Sequence, residues 1–338
     1  METLWYCLVA TMLAVYVVLD GFDLGAGVLH LLVARTDDER RAVLRSIGPV
    51  WDGNEVWLIA AGGALYFAFP ALYSSSFSGF YLPLMIVLWL LILRGISIEF
   101  RNHVESLVWH PLWDAVFAGA SALLAIFFGA ALGNVVRGVP LDSQGDFFLP
   151  LWTDFAAGRE AGILDWYTIL VAITALLALT VHGALWLVLK NSGAIEERSR
   201  NAASALWWAL VAGVVTITLV SFRVQPHLAE SFAARPWNAV FPIIAVAGLA
   251  GMKPFNAARR AMKAFLASCT FLLGMLASVA AGLFPYVLPA TDARLSLTVH
   301  NTAAPHYGLQ VGLVWFIPGM VLTTAYFIYT YRSFAGKV

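Results

Sequence analysis

The sequence predicts an all-α integral membrane protein with nine transmembrane helices, and three observations carry that prediction. Hydrophobic residues fill 61% of 338 positions and charged residues only 12%, with a mean hydropathy of +0.80; an ordinary soluble domain carries about 25% charged residues. The apolar residues are gathered into windows of roughly 20, the length that crosses a bilayer as a helix. Basic residues concentrate on alternate connections between those windows, as the positive-inside rule requires of a multi-pass chain.

The windows lie at about 4–33, 50–72, 77–100, 112–136, 163–189, 202–222, 237–252, 263–285 and 306–331. The first follows Met-Glu with no basic leader and is too long for a cleaved signal, so it reads as a retained span. The second enters through Pro49, a residue suited to a first helical turn. The seventh is the shortest and begins WNAVFP. Connections 34–49, 101–111, 190–201 and 253–263 and the tail together hold fourteen of the twenty Lys and Arg. The opposite side holds five, Arg137, Arg159, Arg223, Arg235 and Arg294, and Arg94 is inside a window. This bias places the N-terminus outside and the C-terminus in the cytoplasm. The outer connections 137–162, 223–236 and 286–305 are too short for a separate domain, so residues 1–338 read as a single polytopic membrane domain. There is no internal repeat or low-complexity segment. The net charge is zero and no basic tract stands out, which disfavours nucleic acid as a partner.

Ionisable groups are costly inside a membrane, at least about 2.5 kcal/mol each on insertion scales, and mark functional candidates. Helix 1 carries Asp20 and Asp23, three apart on one face; helix 2 carries Asp52 and Glu55; helix 3 carries Arg94, Glu99 and Arg101. At about 1.5 Å of rise per residue the acids form a graded ladder from the cytoplasmic side: Asp52 and Glu99 lowest, then Glu55, Asp23 and Asp20. Such a ladder fits a proton path, with Ser97, Tyr16 and Asn54 as nearby polar side chains. Two structural readings compete: Asp52 as a first-turn acid favoured by the helix dipole, and Arg94 and Glu99, five apart, as a helix-stabilising or interhelix ion pair, with Arg101 a further ion-pair candidate on that helix. Gly21 and Gly25 make a small-xxx-small pattern that admits a neighbouring helix. Of seven histidines only His182 lies well inside a window, with His30 near a cytoplasmic end, and neither belongs to a metal-ligand motif. Cys7 and Cys269 stand far apart in apolar stretches and read as packing thiols.

DGFDLGAG at 20–27, TDDERR at 36–41, PVWDGNEVWLIAAGGALYFAFP at 49–70, FSGFYLPL, RGISIEFR, GNVVRGVP at 133–140 and LFPYVLPA with the following SLT at 283–298 together resemble subunit II of the cytochrome bd quinol oxidases. The resemblance implies two four-helix bundles plus one extra helix, paired with subunit I as a heterodimer in the bacterial cytoplasmic membrane. It also implies oxidation of quinol and reduction of dioxygen, with two b-type haems and one d-type haem held by subunit I, so that no catalytic residue, metal or cofactor is expected on this chain. By motif position Asp23 and Asp52 are the acids expected to feed protons inward; Glu55 follows in the same motif, where some members carry an amide. A small single-helix subunit and a bound quinone or lipid are further associations to look for. Two rival readings are a proton-coupled transporter, disfavoured because the acids gather in the first three helices alone, and a purely structural subunit whose acids pair with arginines of the partner.

Overall fold

A computed structural model of the chain describes residues 1–158 and 161–338, leaving Arg159 outside the described residues. The helices are α1 (Glu2–Val33), α2 (Asp37–Ile47), α3 (Trp51–Ala68), α4 (Pro70–Gly79), α5 (Tyr81–Phe100), α6 (Trp109–Arg137), α7 (Trp166–Lys190), α8 (Gly193–Val224), α9 (His227–Ala234), α10 (Val240–Ala257), α11 (Ala261–Leu283) and α12 (His306–Ser333). A 3-10 turn at Pro236–Ala239 leads into α10, and between α11 and α12 a short antiparallel ribbon pairs β1 (Tyr286–Leu288) with β2 (Leu297–Thr298).

Eight helices among the described residues are long and apolar enough to cross a membrane: α1, α5, α6, α7, α8, the Pro236–Ala257 segment, α11 and α12. The expected second span, 50–72, is the exception. Its helix begins at Trp51, with Pro49 in the preceding turn, and stops at Ala68; Phe69 leaves the helical region at φ −136°, ψ 64°, and Pro70 opens α4. Proline disfavours helical backbone in the residue before it and cannot continue the hydrogen-bond ladder, so the apolar run cannot stay one helix. The remaining α3 has 18 residues and bears Asp52, Asn54 and Glu55. The third span correspondingly starts at Tyr81, and the sixth begins nine residues early, at Gly193, because the polar stretch EERSRNAAS is also helical. The basic connection 34–49 contains α2, started by a capping box between Thr36 and Glu39.

Packing centres on α1, which lies against α3, α6, α7 and α11, while α10 pairs with α11 and α8 with α7. The closest approach joins α1 to α7. A Cβ on Gly25 would stand 1.9 Å from the Leu179 carbonyl oxygen, and one on Gly183 would stand 2.3 Å from the Gly25 carbonyl carbon. Only a pair of glycines permits backbones this near. α12 is at the margin: Leu309 is its one buried residue. Cys7 is exposed on α1 and Cys269 is partly buried, so the first thiol is not the packing group its apolar stretch suggested.

The two ends of the bundle are tied differently. At one end Arg198 of α8 grips Glu39 of α2 at 2.7 and 2.9 Å and also donates to the Val33 carbonyl, while Lys190 and Lys337 bond the Phe334 carbonyl and Glu196, each at 2.6 Å. Hydrogen bonds from Arg198 and from the Arg35 backbone hold the Glu39 carboxyl down at about 2. At the other end Arg137 bonds Asp165, Trp5 Nε1 donates to the Leu309 carbonyl at 3.1 Å, and Ala304 N donates to the Ala68 carbonyl at 2.9 Å.

Two outcomes follow from these contacts. Gly183→Leu forces backbones apart and should cost about 3 kcal/mol or more in detergent unfolding, whereas Gly62→Leu, where nothing lies within 4 Å, should shift stability by less than about 0.5 kcal/mol. Glu39 is depressed in the folded chain, so its contribution is present above its ordinary value of 4.5 and fades as pH falls toward about 2. Across that window Glu39→Gln should lose less stability than the parent, by under about 1 kcal/mol because the pair is part-exposed and screened.

Candidate functional site

The α1 face carrying Asp20 and Asp23 is buried, and the two acids have different surroundings. Arg94 of α5, itself fully buried, forks onto Asp20: its two terminal nitrogens donate to the carboxylate oxygens at 2.9 and 2.7 Å. The second nitrogen also reaches Glu55 of α3 at 2.8 Å. Bidentate geometry is the strongest form of this pair, and low polarity raises the cost of breaking it. Three helices are thereby linked through one guanidinium. Ser97 turns its hydroxyl back to the Arg94 carbonyl at 2.6 Å and does not bridge the acids.

Asp23, one turn further, has no cationic partner of this kind. Its Oδ2 accepts from Asn54 Nδ2 at 2.8 Å, and its Oδ1 is buried without a hydrogen-bond partner among the described residues. Asn54 spends its other amide hydrogen on the Leu19 carbonyl at 3.2 Å, and its own oxygen accepts from the Tyr331 hydroxyl at 2.8 Å. Tyr16 Oη and Arg94 Nε are likewise buried and unpartnered. Asp52 and Glu99 stand at exposed positions at the charged end of the bundle, apart from the buried group; Asp52 lies in the first turn of α3 without capping it.

A second charged cluster caps the same end. Asp114 of α6 is fully buried and receives His30 Nε2 at 2.6 Å, Arg101 Nε at 2.6 Å and Arg40 at 3.1 Å. Arg101 continues to Asp37 of α2 at 2.7 Å, and His110 lies 3.5 Å from the same carboxylate. Burial opposes ionisation of Asp37, but Arg101 and Arg41 prevail and hold it below its usual range. Asp114, Tyr331 and the pairing of His30 escaped the sequence reading. Tyr331 is 277 residues from its partner, and Asp114 sits at the edge of an apolar window, where an acid is unremarked.

His182 is fully enclosed. Ser268 Oγ lies 2.7 Å from Nδ1, the Val18 carbonyl 2.9 Å from Nε2, and Phe265 stacks on the ring at 5.0 Å. Both ring nitrogens are thus engaged within the protein. A Cβ on Gly21 would stand 2.9 Å from the Leu179 side chain and 3.7 Å from that of His182, both on α7, and Gly25 makes the close approach described above. An apolar cavity of about 460 Å³ lies beside this region, lined by Leu13, Phe128, Val171, Phe271 and Met275 among others.

Fold and site together define a multi-pass membrane subunit with buried charge on its first helices. Residues 1–334 match the family described as cytochrome bd terminal oxidase subunit II. The chain is 31% identical to a probable cytochrome oxidase subunit 2 of Haemophilus influenzae, over 99% of this chain and 94% of that protein. It is 30% identical to the cytochrome bd-I ubiquinol oxidase subunit 2 of Escherichia coli K12, over 96% and 92%, and 27% identical to the cytochrome bd ubiquinol oxidase subunit 2 of Bacillus subtilis, over 100% and 97%. Its fold matches a chain of the bd oxidase from Geobacillus thermodenitrificans with a TM-score of 0.76 at 18% identity, covering 98% of each chain. The chain therefore belongs to the cytochrome bd oxidase subunit II family. It is a multi-pass bacterial membrane protein, and its family implies a haem-bearing subunit I as partner.

The Asp20 and Arg94 pair gives a direct test. Arg94→Met leaves a buried carboxylate uncompensated and should cost about 3–5 kcal/mol in chemical unfolding, while adding Asp20→Asn should recover part of that loss.

Proposed function

We propose that this chain's part in the quinol oxidase to which it belongs is to stabilise subunit I and to conduct protons from the cytoplasm toward the haems held there, with Asp23 as the central carrier. The observation that carries the proposal is the state of Asp23: a buried mid-helix carboxylate with one oxygen fixed by Asn54 and the other uncommitted. A carrier needs a site that can exchange a proton, and a carboxylate held through both oxygens by a permanent cation is strongly biased toward staying ionised. On that ground we assign Asp20, held through both oxygens by Arg94, as the fixed counter-charge of the path, and Glu55, part-exposed and touching the same guanidinium, as its neighbour on the entry side. Asp52 and Glu99, exposed at the charged end, are placed to collect protons. The purely structural reading, with acids paired to the partner's arginines, is disfavoured because Asp20 already has an arginine of its own chain.

The same proposal takes the chain as one polytopic domain of nine spans, arranged as two four-helix bundles and an extra helix. α3 supports the ninth: its first turns lie beside the α12 C-terminus through Asn54 and Tyr331, and its last residue accepts from Ala304 at the other end. Its 18 residues rise about 27 Å, close to the roughly 30 Å of hydrocarbon. The charge bias supports an outside N-terminus and a cytoplasmic C-terminus. The family resemblance supports two b-type haems and one d-type haem in subunit I, with quinol and dioxygen bound by the complex and a small single-helix subunit as an added partner. The haems supply the electron transfer and oxygen chemistry; this chain's residues hold and move protons. The apolar cavity suits a quinone tail or a lipid chain.

Asp23→Asn in the purified complex should keep the haem absorbance of the parent and slow oxygen consumption at least about tenfold, with Asp52→Asn slowed less, since losing a positioned proton carrier removes one to several orders of magnitude. Unchanged turnover in Asp23→Asn, or loss of haem from it, overturns the reading.

A further inference from the structure

The α1 face of Asp20 and Asp23 does not end with the acids. Gly27 and His30 follow at spacings of four and three, which keeps all four residues on one side of the helix. α6 runs along that side and presents Asp114, Phe117 and Ser121 at matching spacings. Asp114 takes His30 Nε2 at 2.6 Å, the Phe117 ring meets the His30 ring edge-on at 5.3 Å, and Ser121 Oγ lies 2.1 Å from the point where a Cβ on Gly27 would stand. The glycine is what admits the serine hydroxyl to the helix surface midway between Asp23 and His30.

His30, Asp114 and Ser121 are all fully buried. Three polar atoms along this seam have no hydrogen-bond partner among the described residues: His30 Nδ1, Ser121 Oγ and Asp23 Oδ1. A buried polar atom left dry is destabilising, and buried polar atoms in native proteins are satisfied by protein or by ordered water. Seven residues separate Asp23 from His30, a rise of about 10 Å. In height along the helix the Ser121 hydroxyl stands between them, and a line from His30 to Asp23 through it would need a bridging water on either side. The remaining groups facing His30 are charged: Asp114, with Arg40 and Arg101 upon it, and Asp37 and His110 behind Arg101.

We propose that His30 and Ser121 form the lower leg of the proton path to Asp23, with Asp114 positioning His30; this rests on the reading of Asp23 as carrier. Asp114 fixes the imidazole by its Nε2–H, which leaves Nδ1 as the exchanging nitrogen. A proton arriving from the hydrated charged end is held on Nδ1 as imidazolium beside the Asp114 carboxylate. It then leaves Nδ1 along water and the Ser121 hydroxyl, which accepts one proton as it gives up its own, and ends on Asp23 Oδ1. His30 returns to its neutral form with Nε2–H still on Asp114.

The test uses the purified oxidase complex. His30→Gln keeps an amide donor for Asp114 and loses the exchanging nitrogen; Ser121→Ala removes only the hydroxyl. Both should retain the parent haem spectrum, slow turnover about tenfold and enlarge its ratio between water and heavy water, as expected for an interrupted proton transfer. Combining either with Asp23→Asn should add little, because the groups act in series. The infrared carboxyl band that disappears in Asp23→Asn should shift in Ser121→Ala. If turnover, isotope ratio and band in Ser121→Ala equal those of the parent while Asp23→Asn is slow, the leg is wrong and the carrier reading stands; if Asp23→Asn is as fast as the parent, the carrier reading itself has failed. Should His30→Gln lose haem, Ser121→Ala decides alone.

Discussion

The interaction on which the rest depends is the buried fork of Arg94 on Asp20. In lipid, apolar side chains gain little by choosing a neighbouring helix over an acyl chain, so packing of small residues and polar ties must set which helices meet and at what height. One guanidinium ties α5 to α1 through Asp20 and to α3 through Glu55, and the charges tolerate burial because they compensate each other. The glycine pair Gly25 and Gly183 fixes α7 on the other side of α1 by close backbone approach. α1 is thus held by an ion pair on one flank and by backbone contact on the other, and its polar residues are presented at fixed positions.

That constraint separates two acids only three residues apart. Asp20 has both oxygens on a permanent cation and therefore contributes field and position. Asp23 is held through one oxygen by a neutral amide, so its charge is not fixed by a cation of its own. Identical side chains on one helix face acquire different chemistry from what α3 and α5 bring to them. The field of the Asp20, Arg94 and Glu55 group also acts on Asp23 one turn away, which couples the fixed charges to the proposed carrier.

Much of the bundle was legible in the sequence because its signals are local. Apolar length placed eight long helices to within a few residues, apart from the early start of α8, and the motif DGFDLGAG named both the acids and the glycines of α1. The break after Ala68 was also written locally, in Pro70, but an apolar window counts hydropathy and overlooks backbone geometry. The site was only half legible. Asn54 could be suspected from its place between two acids, whereas Tyr331 and Asp114 enter through helices distant in sequence, and pairings of that kind leave no spacing to read. Arg94 and Glu99 share a helix and suggest each other; the partners that won, Asp20 and Glu55, come from other helices because burial demands the best-compensated geometry.

The last helix shows how one such distant contact shapes access. α12 is almost wholly exposed, yet its Tyr331 closes the far side of Asn54. The amide hydrogens are already committed to Leu19 and Asp23, so Asn54 has one orientation that satisfies every partner. An amide in that state passes on a hydrogen bond but not a hydrogen ion, since transfer through it would require tautomerisation. The Asp23 oxygen behind Asn54 is therefore sealed from the charged end of the bundle by two side chains, one of them supplied from the opposite end of the sequence. In the proposed path, exchange at Asp23 is therefore left to its other oxygen, and a tyrosine that makes no hydrogen bond to either acid sets the direction from which a proton would arrive.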